Sequence, residues 1–137
     1  MTPLHFPKDD DPVHIDATFV ALNDHMVLTN PERPPVDDEM KIFKENDWRL
    51  LEAPKYATDL GIFDETPWLS MNVLSVGPNK IVVEENEKPM IQFLEQEHGF
   101  DVLTVPFRSV YEFGGSLHCT TWDVRRRGDR KNYFPNR

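Results

Sequence analysis

Apolar and polar positions recur along the chain in one order, twice. The segment Asn23-Asp24-His25-Met26-Val27-Leu28-Thr29-Asn30-Pro31-Glu32-Arg33-Pro34 aligns with Pro78-Asn79-Lys80-Ile81-Val82-Val83-Glu84-Glu85-Asn86-Glu87-Lys88-Pro89 at a constant offset of 55. Each copy reads as a strand, a polar turn and a second apolar strand. A helical period follows, with Met40 and Phe43 three apart in the first copy and Met90, Phe93 and Leu94 on one face in the second. A last short strand closes each copy, Trp48 to Leu51 and Val102 to Val105, and each stops at a proline, Pro54 or Pro106. The pattern predicts two ββαβ modules, approximately residues 14–54 and 70–106. Lys55 to Pro67 between them reads as a loop, and so does Phe107 to Leu117, which leads to Cys119 and a tail ending at residue 137. Repeats of this length predict radial or stacked architecture, because one module cannot bury all its apolar faces without a neighbour. Trp48, Trp68 and Trp122 are expected to pack between modules, since large aromatics dominate core burial.

Composition narrows the class. Hydrophobic residues make up 39% of the chain, and no apolar run approaches the roughly 20 residues that a membrane-spanning helix needs. Met1-Thr2-Pro3-Leu4-His5-Phe6-Pro7 lacks the basic and apolar regions of a signal peptide. A single cysteine gives no disulfide framework and fits a reducing compartment, so a cytoplasmic protein is expected. The net charge of −9 argues against nucleic-acid binding, which rests on Lys and Arg, although the stretch from Arg125 to Arg137 is basic. The histidines have no helical i, i+4 pairing and no companion cysteines, so no metal site is expected.

Candidate chemistry sits at the two ends of this pattern. Cys119 lies in Phe113-Gly114-Gly115-Ser116-Leu117-His118-Cys119-Thr120-Thr121-Trp122, where paired glycines bring backbone close to a side chain able to attack a substrate. Far upstream, His14-Ile15-Asp16-Ala17-Thr18-Phe19 offers an imidazole and a carboxylate two residues apart, which a strand would place on one face. Thiol, base and anion are the parts of nucleophilic catalysis by cysteine. Taken alone, a lone cysteine is more often a small buried hydrophobe, and His14 and Asp16 are as readily a strand histidine and a turn cap. His118 beside Cys119 is set aside as a second base, because neighbours on a strand point to opposite faces.

A family resemblance changes that balance. His14 to Phe19, Asn30-Pro31-Glu32-Arg33-Pro34, Trp68-Leu69-Ser70-Met71-Asn72-Val73, Asn86-Glu87-Lys88-Pro89, and Gly114-Gly115 through His118-Cys119 to Asp123-Val124-Arg125-Arg126-Arg127-Gly128 occur in order over nearly the whole chain. In these segments the chain resembles the C-terminal part of the glycine amidinotransferase family. The resemblance implies a five-bladed α/β propeller of ββαβ modules, of which residues 1–137 would be a single C-terminal fragment: about two blades plus the cysteine segment. It implies amidino transfer from arginine to an amine such as glycine. Cys119 would attack the guanidinium carbon and His14 would move the proton, while Asp16 would hold the guanidinium and Arg33 the donor's carboxylate. For Arg33 a surface ion pair is the competing reading. No cofactor is implied, and the partners are small-molecule substrates.

Two departures matter. The family carries a hydroxyl-bearing segment where this chain has Asp64-Glu65-Thr66-Pro67, and its histidine-orienting aspartate and a second guanidinium-binding acid lie upstream of position 14. Asp9, Asp10 and Asp11 have the right type without the matching context. The chain alone is therefore expected to be inactive, its missing blades supplied by another chain or a homo-oligomer. The other readings are a hydrolase of the arginine deiminase kind and a non-catalytic fragment that binds a partner chain.

Overall fold

Runs rich in β-branched and aliphatic residues, cut by turns containing Asn, Asp, Pro and Gly, build the sheets of the computed structural model, which describes residues 14–57 and 67–125. The first sheet has the order β1 (Phe19–Ala21), β2 (Met26–Thr29), β3 (Arg49–Glu52). β1 runs antiparallel to β2 and β2 parallel to β3, with Val27 opposite Leu50. A parallel pair needs a crossover, and α1 (Asp37–Glu45) supplies it. The second sheet repeats the plan with β4 (Leu74–Gly77), β5 (Lys80–Glu84) and β6 (Asp101–Val105). Its crossover is α2 (Lys88–Gln92), which runs on into a π-helical turn, Phe93–Glu97. The chain is thus α/β, with two mixed three-stranded sheets.

Local chemistry explains the first hairpin, the start of α1 and the ends of both crossovers. Asn23 Oδ1 accepts the N–H groups of His25 (3.0 Å) and Met26 (2.8 Å), an Asx turn that reverses the chain between β1 and β2. α1 opens with Asp37, Asp38 and Glu39, whose charge suits a helix N-terminus, and Glu39 reaches back to the Val36 N–H at 3.3 Å. Both crossovers end on a residue in the left-handed region, Asp47 (φ 60°) in the first and Gly99 (φ 71°) in the second. Past that residue Trp48 N–H returns to the Phe43 carbonyl and Phe100 N–H to the Leu94 carbonyl, each at 2.9 Å.

One core spans the two modules. Val20, Leu22, Leu28 and Leu51 of the first pack with Val73, Ile81, Val83, Met90, Leu94 and Phe100 of the second. Full burial of such side chains is worth about 1.5–3 kcal/mol each. Polar contacts cross the same boundary: Ser75 Oγ donates to the Leu22 carbonyl (2.7 Å) and Asn23 Nδ2 to that of Pro78 (3.3 Å).

Three expectations need correction. Phe107 to Leu117 is not an open loop, since Arg108–Phe113 coils into 3₁₀ turns around buried Tyr111. Trp48 stacks on Phe43 within its own module and Trp68 borders the shared core, but Trp122 is 87% exposed, because the chain beyond Thr121 leaves the core. His14 and Asp16 do not lie on a strand, since β1 begins only at Phe19 and Ile15–Ala17 is a 3₁₀ turn. Most of the Lys55 to Pro67 loop, the acids Asp9 to Asp11 and the basic tail after Arg125 fall outside the described residues.

Candidate active site

The turn ahead of β1 carries the first two site residues. Ala17 N–H bonds the His14 carbonyl (3.0 Å) and Thr18 N–H that of Ile15 (2.9 Å), which turns the Asp16 carboxylate inward while His14 stays exposed. Asn30 fixes this turn from β2's end: its Nδ2 donates to the Ala17 carbonyl at 2.8 Å, and its Oδ1 accepts the N–H groups of Glu32 (2.9 Å) and Arg33 (3.2 Å). One asparagine thereby sets both the His14–Asp16 turn and the turn bearing half-buried Arg33. The hydrogen bonds around Asp16 run elsewhere, to Asn72, His118 and Cys119.

Cys119 arrives from the far end of the chain. Gly114, at φ 72°, ends the 3₁₀ segment, and a turn through 117–120 follows. The hydroxyl of Thr120 donates to the carbonyls of Ser116 (3.1 Å) and Leu117 (3.2 Å), and that of Thr121 to the Leu117 carbonyl (2.9 Å). Gly115 packs closely here: a Cβ there would sit 3.0 Å from the Cys119 Cβ, tighter than an ordinary contact. The imidazole nitrogen of His14, a carboxylate oxygen of Asp16 and Sγ of Cys119 all lie within 4.8 Å of one another, although Asp16 and Cys119 stand 103 positions apart.

Two residues that sequence reasoning passed over complete the arrangement. Asn72, buried just after the 3₁₀ segment Pro67–Met71, donates through Nδ2 to Asp16 Oδ2 (3.0 Å) and to Cys119 Sγ (3.2 Å). Its Oδ1 accepts the N–H groups of Ser116 (3.1 Å) and Cys119 (3.0 Å). His118 Nδ1 lies 2.9 Å from Asp16 Oδ2. The alternation that set His118 aside belongs to strands. In a turn, residues 118 and 119 both reach Asp16.

Electrostatics follow from these contacts. The His118 hydrogen bond holds the Asp16 carboxyl below its ordinary range, helped by Cys119 and Asn72 and opposed by partial burial. The Cys119 thiol is pushed up, first by burial and then by the Asp16 anion beside it, with the Asn72 hydrogen bond working the other way. Without a cation present, the pair favours a protonated sulfur against an ionised acid. Beside the site an open cleft of about 490 Å³ is lined by Ala21, Leu74, Ser75, His118, Thr121, Trp122 and Asp123.

Comparison with known proteins adds a second line of observation. No protein-family model matches the chain. Over 129 residues, 93% of its length, it is 36% identical to the mitochondrial glycine amidinotransferase of Gallus gallus and 38% identical to the L-arginine:L-lysine amidinotransferase of Pseudomonas savastanoi pv. phaseolicola. It spans 30% and 34% of those two proteins, about a third of each. Among solved structures, an amidinotransferase of saxitoxin biosynthesis from Microseira wollei superposes on 90% of this chain with a TM-score of 0.77 at 36% identity, the match covering 36% of that protein. An agmatine deiminase of C. jejuni, at 19% identity and a TM-score of 0.51, shares the fold alone.

Proposed function

We propose that this chain, a relative of the glycine amidinotransferases along 93% of its length, carries the nucleophilic half of an amidinotransferase site. The observation that carries the reading is the meeting of His14, Asp16 and Cys119 at the positions where the family resemblance puts them. A guanidinium carbon is electrophilic but resonance-stabilised and cationic. Attack on it requires an anion to hold the group, a strong nucleophile and a proton for the departing amine.

In the proposed reaction the donor guanidinium settles against Asp16, with Arg33 taking the carboxylate at the other end of arginine. The cation offsets the Asp16 charge that keeps the thiol protonated, so substrate binding itself promotes the thiolate. The thiol gives its proton to His14 as Sγ bonds to the guanidinium carbon, the carbon–nitrogen bond to the ornithine nitrogen breaks, and His14 passes that proton to the departing nitrogen. The product is an amidino-cysteine. An acceptor amine then loses a proton to His14 and bonds to the amidino carbon, and the carbon–sulfur bond breaks to return the thiolate. Glycine and lysine are both acceptors consistent with the relatives' names.

The same reading assigns these residues two blades of a larger propeller, which by themselves would not turn over substrate. The residues match about a third of each relative. The expectation rests on the cost of an unoriented base, since loss of the orienter in a comparable triad costs about four orders of magnitude in rate. A thiol nucleophile also has to stay reduced, which keeps the cytoplasm as the proposed compartment. Among the described residues no helix is long and apolar enough to cross a membrane.

The test is incubation with arginine and glycine, alone and joined to the remaining part of a full-length relative. Ornithine, rather than citrulline, and one amidino group on Cys119 by intact mass are expected only in the joined protein. Cys119→Ser should abolish both, and turnover retained in that variant would sink the nucleophile assignment.

A further inference from the structure

Apart from the bond from its own N–H to the Leu69 carbonyl (2.9 Å), Asn72 makes five hydrogen bonds to Asp16 or to the segment 116–119. Besides the four from its side chain, its backbone carbonyl accepts the His118 N–H at 3.2 Å. A carboxamide has two N–H donors and an oxygen able to accept twice, so this side chain is fully committed. It is also buried, which gives those bonds little competition from water.

Geometry separates its two ends. Oδ1 gathers the Ser116 and Cys119 N–H groups, which fixes the backbone of the turn. Nδ2 faces outward from that clamp to the sulfur at 3.2 Å and to Asp16 Oδ2 at 3.0 Å. The charged and titratable groups that meet the sulfur are His14 and Asp16 from the turn ahead of β1, with His118 adjacent on its own turn and bonded to Asp16. Of these, Asp16 opposes an anion on sulfur. Asn72 is the neutral donor placed to favour one.

We propose that Asn72 is the positioning residue of the thiol: its oxygen sets the turn that presents Cys119, and its amide stays on the sulfur as the donor that receives the thiolate. When the thiol is protonated it donates to Asp16 and the amide is a weak partner. Once the proton leaves, the same 3.2 Å contact becomes a charge-assisted bond. The inference rests on the nucleophile reading of Cys119, but its test does not need amidino transfer.

The experiment is the pH dependence of iodoacetamide alkylation of the chain's single cysteine, which counts thiolate directly. Asn72→Asp keeps the acceptor for the two backbone N–H groups and exchanges the donor for a negative oxygen. Its alkylation midpoint should rise by about one pH unit or more, about tenfold less thiolate at any pH below the midpoint. Asn72→Ser, which reaches neither the sulfur nor the turn, should also raise the midpoint and should speed hydrogen exchange at the Ser116 and Cys119 amides. In the unmutated chain, the Asn72 side-chain amide resonances should titrate with the thiol. That measurement stands even where a variant fails to fold. Resonances indifferent to thiol ionisation, or a folded Asn72→Asp variant with an unchanged midpoint, would overturn the proposal. Failure of the nucleophile reading would appear instead as turnover in Cys119→Ser.

Discussion

Glu32 and Glu87 hold equivalent places in the two modules, and each accepts a hydrogen bond from an aromatic side chain of the segment that follows its module. Trp68 Nε1 reaches Glu32 at 2.9 Å, and Tyr111 Oη reaches Glu87 at 3.3 Å. Trp68 stands four residues before Asn72, and Tyr111 stands on the 3₁₀ segment that leads to Ser116 and Cys119. The same clasp therefore aims both arms of the site. The setting differs: Glu32 is at the surface, whereas Glu87 is 2% exposed and also receives the Ala57 N–H at 3.3 Å. Burial pushes the Glu87 carboxyl above its ordinary range, and burial together with Glu87 pushes the Tyr111 phenol well up, so its proton stays in the bond. The repeat supplied one device. Water decides how firmly each copy holds.

The largest effect should come from breaking the buried clasp. Glu87→Ala takes one hydrogen bond from the Tyr111 hydroxyl and one from the Ala57 N–H and leaves a void, and should cost about 2–4 kcal/mol in urea unfolding. Glu32→Ala should cost less than about 1 kcal/mol, since water replaces the lost bond. Equal losses at the two positions would remove the distinction.

Acidity sharpens the contrast in a second way, with two acids that pull in opposite directions. The folded-state pKa of Glu87 is raised above 4.5, so its contribution is full below that value and is lost as pH rises through the raised one. That of Asp16 is lowered below 3.8, so its contribution is present above that value and is lost as pH falls through the depressed one. Glu87→Gln should therefore flatten the decline of stability above pH 4.5, and Asp16→Asn the decline below 3.8, each read from denaturation midpoints against pH.

A smaller difference separates the two helix ends. Gly99→Ala should destabilise by about 1 kcal/mol for conformational reasons alone, because nothing lies within 4 Å of the new Cβ. Asp47→Gly should stabilise slightly, by roughly 0.5 kcal/mol, since glycine adopts φ 60° without strain. Thermal midpoints moving in the same direction for both would show that the caps are not equivalent.

Much of this was legible in the sequence, and the reason is local. Ile81-Val82-Val83 and Met90, Phe93 and Leu94 announce strand and helix through their own periodicity, and the mixed topology follows from the crossover each pair requires. Cys119, His14 and Asp16 were identified by residue type and family likeness. Asn72 was not, although it lay inside a matched segment, because its value depends on which two backbone N–H groups a distant turn brings to its oxygen. His118 was lost through a wrong backbone assumption, a strand where the chain turns. Trp122 was lost because side-chain size predicts burial only where the chain has something to lie against.

The bond from Asn23 to Pro78 joins residues 55 apart, the interval of the repeat itself, so corresponding points of the two hairpins touch. The β1–β2 and β4–β5 turns therefore meet across the boundary between the modules, beside the Ser75–Leu22 bond, and seal the polar edge of the shared core.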